Sequence, residues 1–466
     1  MTSVASLAPP RSVGVPRIAC LATQAGHGGG AAIALERLVA AIRAAGGQAD
    51  VVTRAEMPPL AAAGQRLERL LRRGIRRSRT EVSNTLFTAD WPAWDLVGHP
   101  AVAAADLVNV HWVAGFIAAA GIRRLVESGR SVAWTLHDMR PFTGGCHYAG
   151  GCPGYLRDCT ACPQLVPALE ALPVRALARA RRRLAGVPLV FIAPSRWLAD
   201  EVRRASLFDE ASHRVVVIPN GIDLARYAPG DRQAARQRLG LPAEGLAILL
   251  GSVSLEERRK AAGLAANAVA RAAAELARRG TAAGLVVVTY GSGEIQIPGV
   301  ACRHLGRLDE AGVLAALHAC DVHLTMARED NLPNTVMEAL ACGLAVVATR
   351  TGGHPEMIAD GVEGRLVPVD DAAAAAAALL GLAEDPAVVR LAGERGRRRA
   401  EREWDSALQA RRYLELAAEC RARPQPPSPA PAPLAATPFT PAAAVVLHRG
   451  ATLRGPFRRL RRLAPW

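Results

Sequence analysis

The sequence predicts an α/β protein made of two consecutive doubly wound domains, and three observations support this fold class. The chain has 466 residues, 50% of them apolar, which is enough for two separate cores. Strand-like apolar runs alternate with helix-like segments along most of the chain. Near residues 215–229 a strand-like run ends in an Asn-Gly turn, after which a second alternating set begins. We expect ligands at the carboxyl ends of the strands.

The elements follow in order along the chain. The first strand is followed by a glycine-rich loop and a helix that we expect to end near Ala45. In the first half the expected strands are VPRIACLA (15–22), ADVVT (49–53), DLVNVHWV (106–113), SVAWTLHD (131–138) and LVFIAPS (189–195). In the second half they are LAILLGS (246–252), GLVVVTYGSG (284–293), DVHLTMA (321–327) and LAVVATR (344–350).

Composition narrows the classes of partner. The net charge of +15 favours an anionic partner, such as a nucleotide, a membrane surface or a nucleic acid. Aromatic residues make up only 4%, which argues against a base-stacking nucleic-acid surface, so we expect no nucleic acid. The first 22 residues carry Pro and Arg where a signal peptide needs an apolar core, so we expect a cytoplasmic protein. Residues 423–466 are basic and rich in Pro and Ala, and we expect them to be disordered.

The most informative segment is AREDNLPNTVMEALACGLAVVATRTGGHPEMI (327–358). Pro333 suits the first turn of a helix that runs through Glu338 and stops at Gly343. The free amides at the start of such a helix form a ready phosphate site. Asp330 and Glu338 could then contact a sugar and a ribose, although acids at helix starts are also common structural caps.

This segment resembles the retaining glycosyltransferase family 4, whose members have the GT-B fold. Asp330 and Glu338, with seven residues between them, match the family's acid-x7-acid motif, although the first acid is usually Glu and Glu329 lies beside Asp330. The resemblance covers roughly residues 17–420 and includes TGGHPEMIADGVEGRLVP, HLGRLDEAGVLAALHACDV, IAPSRWLADEV and VIPNGIDLARY. HWVAGF, WTLHDMRPFTGGCHYAGGC and CTACPQL are most similar to a bacterial subgroup that builds extracellular polysaccharides of the colanic-acid type.

The resemblance implies two Rossmann-like domains that face a central cleft. Residues 15–210 would bind the acceptor, residues 211–400 would bind the nucleotide sugar, and a helix at 401–422 would pack back on the first domain. The implied reaction moves a sugar from a UDP or GDP sugar to a saccharide acceptor, which we expect to be lipid-linked, with retention of configuration. It implies no cofactor and no metal for the transfer itself.

The resemblance also implies roles for individual residues. Glu338 would bind the ribose hydroxyls, and Arg259 and Lys260 would bind the phosphates. His137 would lie against the donor sugar, although a turn role shared with Asp138 is the alternative. The donor sugar would be held by Asp330 and the amides of Asn331 and Leu332, and the diphosphate by amides near Asn334 and Thr335. The chain departs from the family at two positions: Ala261 replaces the glycine after Arg-Lys, and Ser252 stands where the family has Arg.

Lys260 is the only lysine in the chain, and the other 56 residues of the Lys plus Arg total of 57 are arginines. Coding bias toward Arg would favour Arg here as well, so a chemical requirement for Lys is the simpler interpretation. A compact ammonium group can approach a phosphate oxygen in a narrow cleft, where a planar guanidinium is broader. We therefore expect Lys260 to stabilise the departing phosphate.

The stretch TQAGHGGGAAIALERL (23–38) places Gly29 and Gly30 before the first helix, where the backbone can approach donor phosphates closely. It also reads as G-x-G-x-x-A from Gly26 to Ala31, a weak dinucleotide-binding signal. That fingerprint needs an acid at the end of the second strand, but Asp50 comes before VVT and the next acid is Glu56. An NAD-dependent oxidoreductase is therefore rejected.

Four cysteines, Cys146, Cys152, Cys159 and Cys162, are spaced C-x5-C-x6-C-x2-C. In a reducing cytoplasm such a cluster more often holds zinc than disulfides, and the closing C-x2-C is a common half-site. A structural zinc is the hypothesis, with His147 as a candidate substitute ligand. Two disulfides or four free thiols are the alternatives.

Two basic regions complete the sequence. Residues 66–79 carry seven arginines around a stripe of Leu67, Leu70, Leu71 and Ile75, and the C-terminal residues 449–466 mix Arg with Phe457, Leu460 and Trp466. Either region could bind an anionic membrane surface. The alternative is that coding bias toward Arg places arginines at solvent-exposed helix positions. A non-catalytic lipid- or nucleic-acid-binding protein on a retired catalytic fold is the alternative function.

Overall fold

The computed structural model describes residues 14–25, 29–91, 94–280 and 284–422. The tail at 423–466 and part of the G-x-G-x-x-A stretch therefore lie outside the described residues. The described chain forms two α/β domains, each with a six-stranded parallel sheet and helices on both faces of the sheet. The predicted pair of doubly wound domains is confirmed.

The first sheet has the strand order β2-β1-β3-β4-β5-β6, and all its pairings are parallel. Its strands read as continuous apolar runs because helices cover both faces. The strands are β1 Arg17–Ala22, β2 Gln48–Thr53, β3 Leu107–Val110, β4 Val132–Thr135, β5 Leu189–Ala193 and β6 His213–Val217. The helices are α1 Gly30–Ala44, α2 Ala62–Arg77, α3 Pro100–Ala104, α4 Ala119–Glu127, α5 Ala171–Leu184 and α6 Arg196–Arg204.

The second sheet has the order β12-β11-β10-β7-β8-β9, also parallel throughout. Its strands are β7 Leu246–Ser254, β8 Leu285–Ser292, β9 Ala301–His304, β10 Val322–Thr325, β11 Ala345–Thr349 and β12 Gly364–Val367. The following helices are α7 Arg232–Leu239, α8 Ala262–Arg278, α9 Glu310–Ala319, α10 Asn334–Ala341, α11 His354–Met357, α12 Ala372–Glu384, α13 Pro386–Glu403 and α14 Ser406–Ala422.

Both sheets reverse their strand order at one point, between β1 and β3 in the first and between β7 and β10 in the second. In open α/β sheets, loops at the carboxyl ends of the strands separate at such a point and leave a crevice. The loops after β3, β4, β7 and β10 carry His111, His137, Lys260 and Asp330 respectively. The fold therefore brings the polar residues singled out in the sequence to the two crevices.

The boundary expected between residues 210 and 211 is wrong. β6 pairs with β5, from Leu189 opposite His213 to Ala193 opposite Val217, so it completes the first sheet. The boundary expected between residues 400 and 401 is also misplaced, because α13 continues to Glu403 and the next helix begins at Ser406. Strand pairing is non-local, so the composition of residues 213–217 could not show which sheet they would join.

Helix α14 packs on the first domain although it follows the second along the chain. Tyr413, Leu416 and Ala417 are buried in the same core cluster as residues of α1 and the first sheet. The Tyr413 hydroxyl lies 3.0 Å from Thr135 Oγ1, and Arg421 is paired with Asp106 at 2.6 Å. The end of the described chain thus completes the core of the domain that begins it.

Among the described helices, no single one is long and apolar enough to cross a membrane. Helices α12 and α13 reach that length and apolarity only as a pair, and the pair is bent by 104°.

Candidate active site

The carboxylate of Asp330 is the centre of a cluster in the loop between β10 and α10. Its Oδ2 lies 2.6 Å from Lys260 Nζ and 3.1 Å from Arg259 Nη1, and its Oδ1 accepts a hydrogen bond from the Asn331 amide at 3.0 Å. The Tyr148 hydroxyl lies 3.4 Å from Oδ1. Burial alone would raise the pKa of Asp330, but Lys260 and Arg259 hold that pKa well below its usual range. Asp330 is therefore ionised at neutral pH.

Two glycines pack closely against the backbone of the loop that carries Asp330. A Cβ on Gly352 would lie 1.8 Å from the Asp330 carbonyl oxygen, and one on Gly353 would lie 1.7 Å from the Asn331 carbonyl oxygen. The Gly353 amide donates to the Asp330 carbonyl at 3.0 Å. The Gly-Gly pair that follows β11 is thus required for a close backbone approach.

Lys260 and Arg259 lie on a short 3-10 turn, Arg258–Lys260, that precedes α8. Arg259 donates to the Glu329 carbonyl at 2.6 Å and to Glu257 at 2.9 Å, and its guanidinium lies 4.0 Å from the centre of the Tyr148 ring. Ala261 then adopts a left-handed conformation, with φ of 48° and ψ of 42°. This conformation explains why a glycine suits the position in related sequences.

Glu329, the neighbouring acid, accepts from a backbone amide and forms no ion pair with these cations in the described part of the chain. Its Oε2 accepts a hydrogen bond from the Gly150 amide at 2.7 Å, and burial raises its pKa above the usual range. Of the two candidate first acids, Asp330 is therefore the one placed beside the cations.

Glu338 lies on α10, which begins at Asn334 with Pro333 as its N-cap and is followed by Gly343 at φ +80°. Its Oε1 accepts a hydrogen bond from Arg37 Nη2 at 2.8 Å, across the cleft from α1. Arg37 Nη2 also donates to the Tyr227 hydroxyl at 2.7 Å, and its guanidinium lies 4.8 Å from the Tyr227 ring centre. Burial raises the pKa of Glu338 above its usual range, although Arg37 opposes this shift.

The opposite wall of the cleft holds two imidazoles. His137 Nε2 lies 3.0 Å from His111 Nδ1, and the two rings stack with centroids 5.3 Å apart. Burial lowers the pKa of His137 to about 4, so its ring is neutral at pH 7. Asp138, beside it, accepts hydrogen bonds from His147 Nδ1 at 2.6 Å and Trp112 Nε1 at 2.9 Å. Asp138 thus fixes the wall, while His137 stays partly exposed.

The two domains touch along the start of α10. Asn331 Oδ1 accepts from Ser195 Oγ at 2.6 Å, and its Nδ2 donates to the carbonyls of Leu136 and His137 at 3.3 and 3.4 Å. Asn334 Nδ2 donates to the Gly30 carbonyl at 3.1 Å, beside Gly29, whose φ is 100°. Leu332 is buried and Thr335 is partly buried at this helix start. The glycine-rich turn and α10 therefore face each other across the cleft.

The four cysteines of the C-x5-C-x6-C-x2-C cluster have free thiols and all line one small cavity. Among the described residues, no three or more His, Cys, Asp or Glu side chains are already arranged to hold a metal ion. The structural zinc therefore stays a prediction.

The basic segment at 66–79 forms α2, on which Ile75 is buried while Arg66, Arg69, Arg73, Arg76 and Arg77 are exposed.

The structure thus brings Asp330, Lys260 and Arg259 into direct contact in the loop before α10. Glu338, on α10 itself, forms a second acid–cation pair with Arg37. Sequence reasoning missed Arg37, Tyr148 and Ser195. Tyr148 and Ser195 stand inside recognised motifs, HYAGGC and IAPSRW, and a polar side chain at the end of a strand was a usable signal for Ser195. Nothing local in α1 marked Arg37, because its partners lie far away in sequence.

Comparison with known proteins finds glycosyltransferases similar to this chain. A model described as Glycosyltransferase Family 4 matches residues 28–226, and one described as Glycosyl transferases group 1 matches residues 246–385. A sucrose-phosphate synthase from Thermosynechococcus elongatus has the same fold, with a TM-score of 0.61, 19% identity, and coverage of 87% of this chain and 98% of that one. WaaG, a glycosyltransferase involved in lipopolysaccharide biosynthesis, gives a TM-score of 0.56 at 14% identity, over 86% of this chain and 99% of that one.

Curated relatives match over shorter lengths. D-inositol 3-phosphate glycosyltransferase 2 of Catenulispora acidiphila is 30% identical over 225 residues, which are 44% of this chain and 51% of that protein. The putative colanic acid biosynthesis glycosyl transferase WcaC of Escherichia coli is 27% identical over 237 residues, 49% of this chain and 54% of that protein. The chain spans about half the length of the curated relatives it matches.

Fold and site together define the class, a GT-B protein whose two domains face a central cleft, as the sequence predicted. Within that class, each half of the chain matches a glycosyltransferase model, Glycosyltransferase Family 4 over residues 28–226 and Glycosyl transferases group 1 over residues 246–385.

Proposed function

We propose that this protein is a retaining glycosyltransferase that moves a sugar from a nucleoside-diphosphate sugar to a saccharide acceptor. The observation that carries the proposal is the contact of Lys260 and Arg259 with Asp330 beside the start of α10. Two cations and a helix N-terminus at one point form a site for a diphosphate. The acid beside them suits the hydroxyls of the sugar that the diphosphate carries.

Charge builds on the leaving diphosphate as the glycosidic bond breaks. A cation aimed at that charge stabilises the transition state more than the ground state. Lys260 is the exposed member of the pair, with 21% of its side chain accessible against 11% for Arg259. Lys260 therefore makes the direct phosphate contact, and Arg259 braces the loop. Glu338 binds the ribose hydroxyls, while the neutral ring of His137 lies on the side of the acceptor and the donor sugar.

The donor is a UDP or GDP sugar, and the transfer itself uses no cofactor. The structural relative HepE of Anabaena was solved with UDP and glucose, at a TM-score of 0.55 and 16% identity, over 87% of this chain and 100% of that one. For the acceptor, the likeness to WcaC and the motifs HWVAGF and CTACPQL favour a growing extracellular polysaccharide on a lipid carrier. Relatives named for D-inositol 3-phosphate make an inositol phosphate the second candidate.

Kinetics on Lys260 variants test the proposed role. With a panel of UDP and GDP sugars, Lys260→Ala should lower kcat by on the order of a hundredfold, the usual scale for one electrostatic group. Lys260→Arg should restore only part of the rate, because the planar fork fits the narrow site poorly. Arg271→Lys, on the exposed face of α8, is the matched control and should leave the rate unchanged. A fully active Lys260→Arg variant would remove the special role of the lone lysine.

The proposed location is the cytoplasmic face of a membrane, with α2 resting on anionic lipid. Its support is the row of exposed arginines on α2. Replacing Arg69, Arg73 and Arg76 with Gln should weaken binding to vesicles that contain anionic lipid and leave binding to neutral vesicles unchanged. Removing residues 423–466 should weaken it further. If both variants bind as the full chain does, the membrane contact must be abandoned.

A further inference from the structure

The segment between β4 and α5, residues 136–170, has very little regular structure for its length. It holds three 3-10 turns, Arg140–Phe142, Gly154–Leu156 and Pro167–Leu169. Irregular segments longer than about 12–15 residues are uncommon inside compact domains. This segment nevertheless is buried at Phe142, Tyr155 and Leu165. Apart from two isolated β-bridges, Arg79 with Leu165 and Phe87 with Cys146, strand pairing contributes little to holding it in place.

The four cysteines lie at the middle of this segment, around one cavity. Cys146, Cys152, Cys159 and Cys162 line a single cavity of about 10 Å³, together with the buried rings of Phe87 and Tyr155. A cavity of that size has room for roughly one water-sized occupant. Among the described residues, these side chains are not yet arranged as a metal centre.

Backbone amides are aimed at the sulfurs. The Gly154 amide donates to Cys152 Sγ at 3.4 Å, the Gly144 amide faces Cys159, and the Gln164 amide faces Cys162. A neutral thiol is a weak acceptor, whereas hydrogen bonds to an ionised acceptor are stronger. The Gly154 amide would therefore bind Cys152 more strongly as a thiolate, the form in which cysteine binds a metal.

A cation stands beside the cluster. Arg79 is partly buried and interacts electrostatically with Cys146 and Cys162. It donates to the Ser83 carbonyl at 3.0 Å and to Gln164 Oε1 at 2.9 Å. Its Nε is buried and, among the described residues, has no hydrogen-bond partner. This unpaired buried donor would be offset by the thiolates of a bound metal centre.

We propose that Cys146, Cys152, Cys159 and Cys162 bind one zinc ion, and that this ion fixes the segment 136–170. Four S–H bonds break and four Zn–S bonds form, and the four protons pass to solvent or buffer. A tetrahedral Zn²⁺ with four thiolates has a net charge of −2, which Arg79 partly offsets. Soft thiolate ligands favour zinc over harder cations such as Mg²⁺ and Ca²⁺.

The ion acts on the cleft through the residues next to its ligands. Tyr148 lies between Cys146 and Cys152, with its ring under Arg259 and its hydroxyl near Asp330. Gly150 holds Glu329 through its amide. A fixed position for this segment therefore fixes Tyr148, which we infer to be a positioning residue for Arg259 and Asp330.

Metal analysis of the full chain, purified under reducing conditions without added metal, tests the site. We expect about one zinc per chain, and well below half an equivalent in Cys159→Ser and Cys162→Ser. Cys302→Ser is the matched control, because Cys302 is a partly buried thiol on β9 outside the cluster. It should keep its zinc.

Two further measurements keep the proposal falsifiable if the cluster variants fail to fold. Co²⁺ exchanged into the wild-type chain should give thiolate charge-transfer absorption and tetrahedral ligand-field bands. Thiol titration of the unreduced, denatured chain in chelator should find all nine cysteines. Less than about half an equivalent of zinc after refolding with Zn²⁺ present, or a deficit of four thiols from two disulfides, would overturn the proposal. None of these readouts depends on sugar transfer, so the zinc site and the proposed function fail separately.

Discussion

Asp330 and Glu338 are two buried acids on the same stretch of chain, each paired with cations, yet their pKa values shift in opposite directions. Lys260 and Arg259 hold the pKa of Asp330 low, whereas burial raises that of Glu338 against a single Arg37. The cations of Asp330 belong to its own domain, and the cation of Glu338 comes from the other domain. The charge of Asp330 is therefore built into the C-terminal domain, while the charge of Glu338 depends on how the cleft is closed.

The largest expected effect comes from Asp330→Asn. It leaves two partly buried cations without their buried carboxylate, and we expect a loss of about 3 kcal/mol of unfolding free energy. Asp370→Asn removes an exposed partner of Arg328, with both side chains half exposed, and should cost less than about 1 kcal/mol. Denaturant unfolding of the three proteins at pH 7 measures both. Equal losses of unfolding free energy in the two variants would show that burial does not make the Asp330 ion pairs more stabilising than an exposed ion pair.

The same variant makes a pH prediction. Because the pKa of Asp330 is lowered in the folded state, its stabilisation is present above the unfolded pKa near 3.9 and is lost as the pH falls toward the folded pKa. The stability gap between wild type and Asp330→Asn should therefore narrow between about pH 5 and pH 3. A constant gap over that range would contradict the assigned ionisation.

A double-mutant cycle on Arg37→Leu and Glu338→Gln measures the pair that spans the cleft. We expect a coupling energy of about 1–3 kcal/mol, the range for buried contacting groups. The comparison cycle uses Arg214 and Glu419, a 2.9 Å pair with about half of each side chain exposed, and should give less than about 1 kcal/mol. Coupling no larger than in this exposed pair would mean that the cleft is open in solution.

Arg37→Leu also carries a pH signature, which falls in a higher pH range than that of Asp330→Asn. With Arg37 removed, the pKa of Glu338 should rise further, since burial is then less opposed. A carboxyl group with a raised folded pKa stabilises the protein at low pH, and that stability is lost as the pH rises through the folded value. The stability deficit of Arg37→Leu should thus shrink by about 1 kcal/mol from pH 8 to pH 5. The double variant with Glu338→Gln should not show this change.

The smallest effect concerns the turn that presents Lys260. Ala261 has φ of 48°, a conformation that costs a non-glycine residue about 1 kcal/mol. Ala261→Gly should relieve this strain and raise the unfolding free energy by about 0.5 kcal/mol after the added freedom of the unfolded chain is subtracted. Ala274→Gly, at an exposed position inside α8, should instead lose about 1 kcal/mol. A loss in both variants would show that Ala261 is not strained.

The sequence predicted those features that have local causes. Apolar runs bounded by glycine turns located most of the strands, and a strand end located His137, whereas the resemblance to family 4 singled out Asp330 and Lys260. Features with distant partners could not be predicted. Arg37 looks like any arginine on a helix face until Glu338 is placed opposite it, and β6 resembles the strands of either domain until it pairs with β5. The four cysteines were found by spacing, but only the structure shows that they share a cavity.

The return of α14 to the first domain has a consequence for synthesis of the protein. Tyr413 and Ala417 fill the core against Ile18 and Leu35, so that core is incomplete until the helix Ser406–Ala422 has left the ribosome. At about 5–20 residues per second, the delay between emergence of β6 and of this helix is roughly 10–40 s. During that interval an apolar surface of the nascent chain stays uncovered and available to chaperones. We expect ribosome-bound chains that stop before residue 406 to bind chaperones more strongly than chains that extend past residue 422.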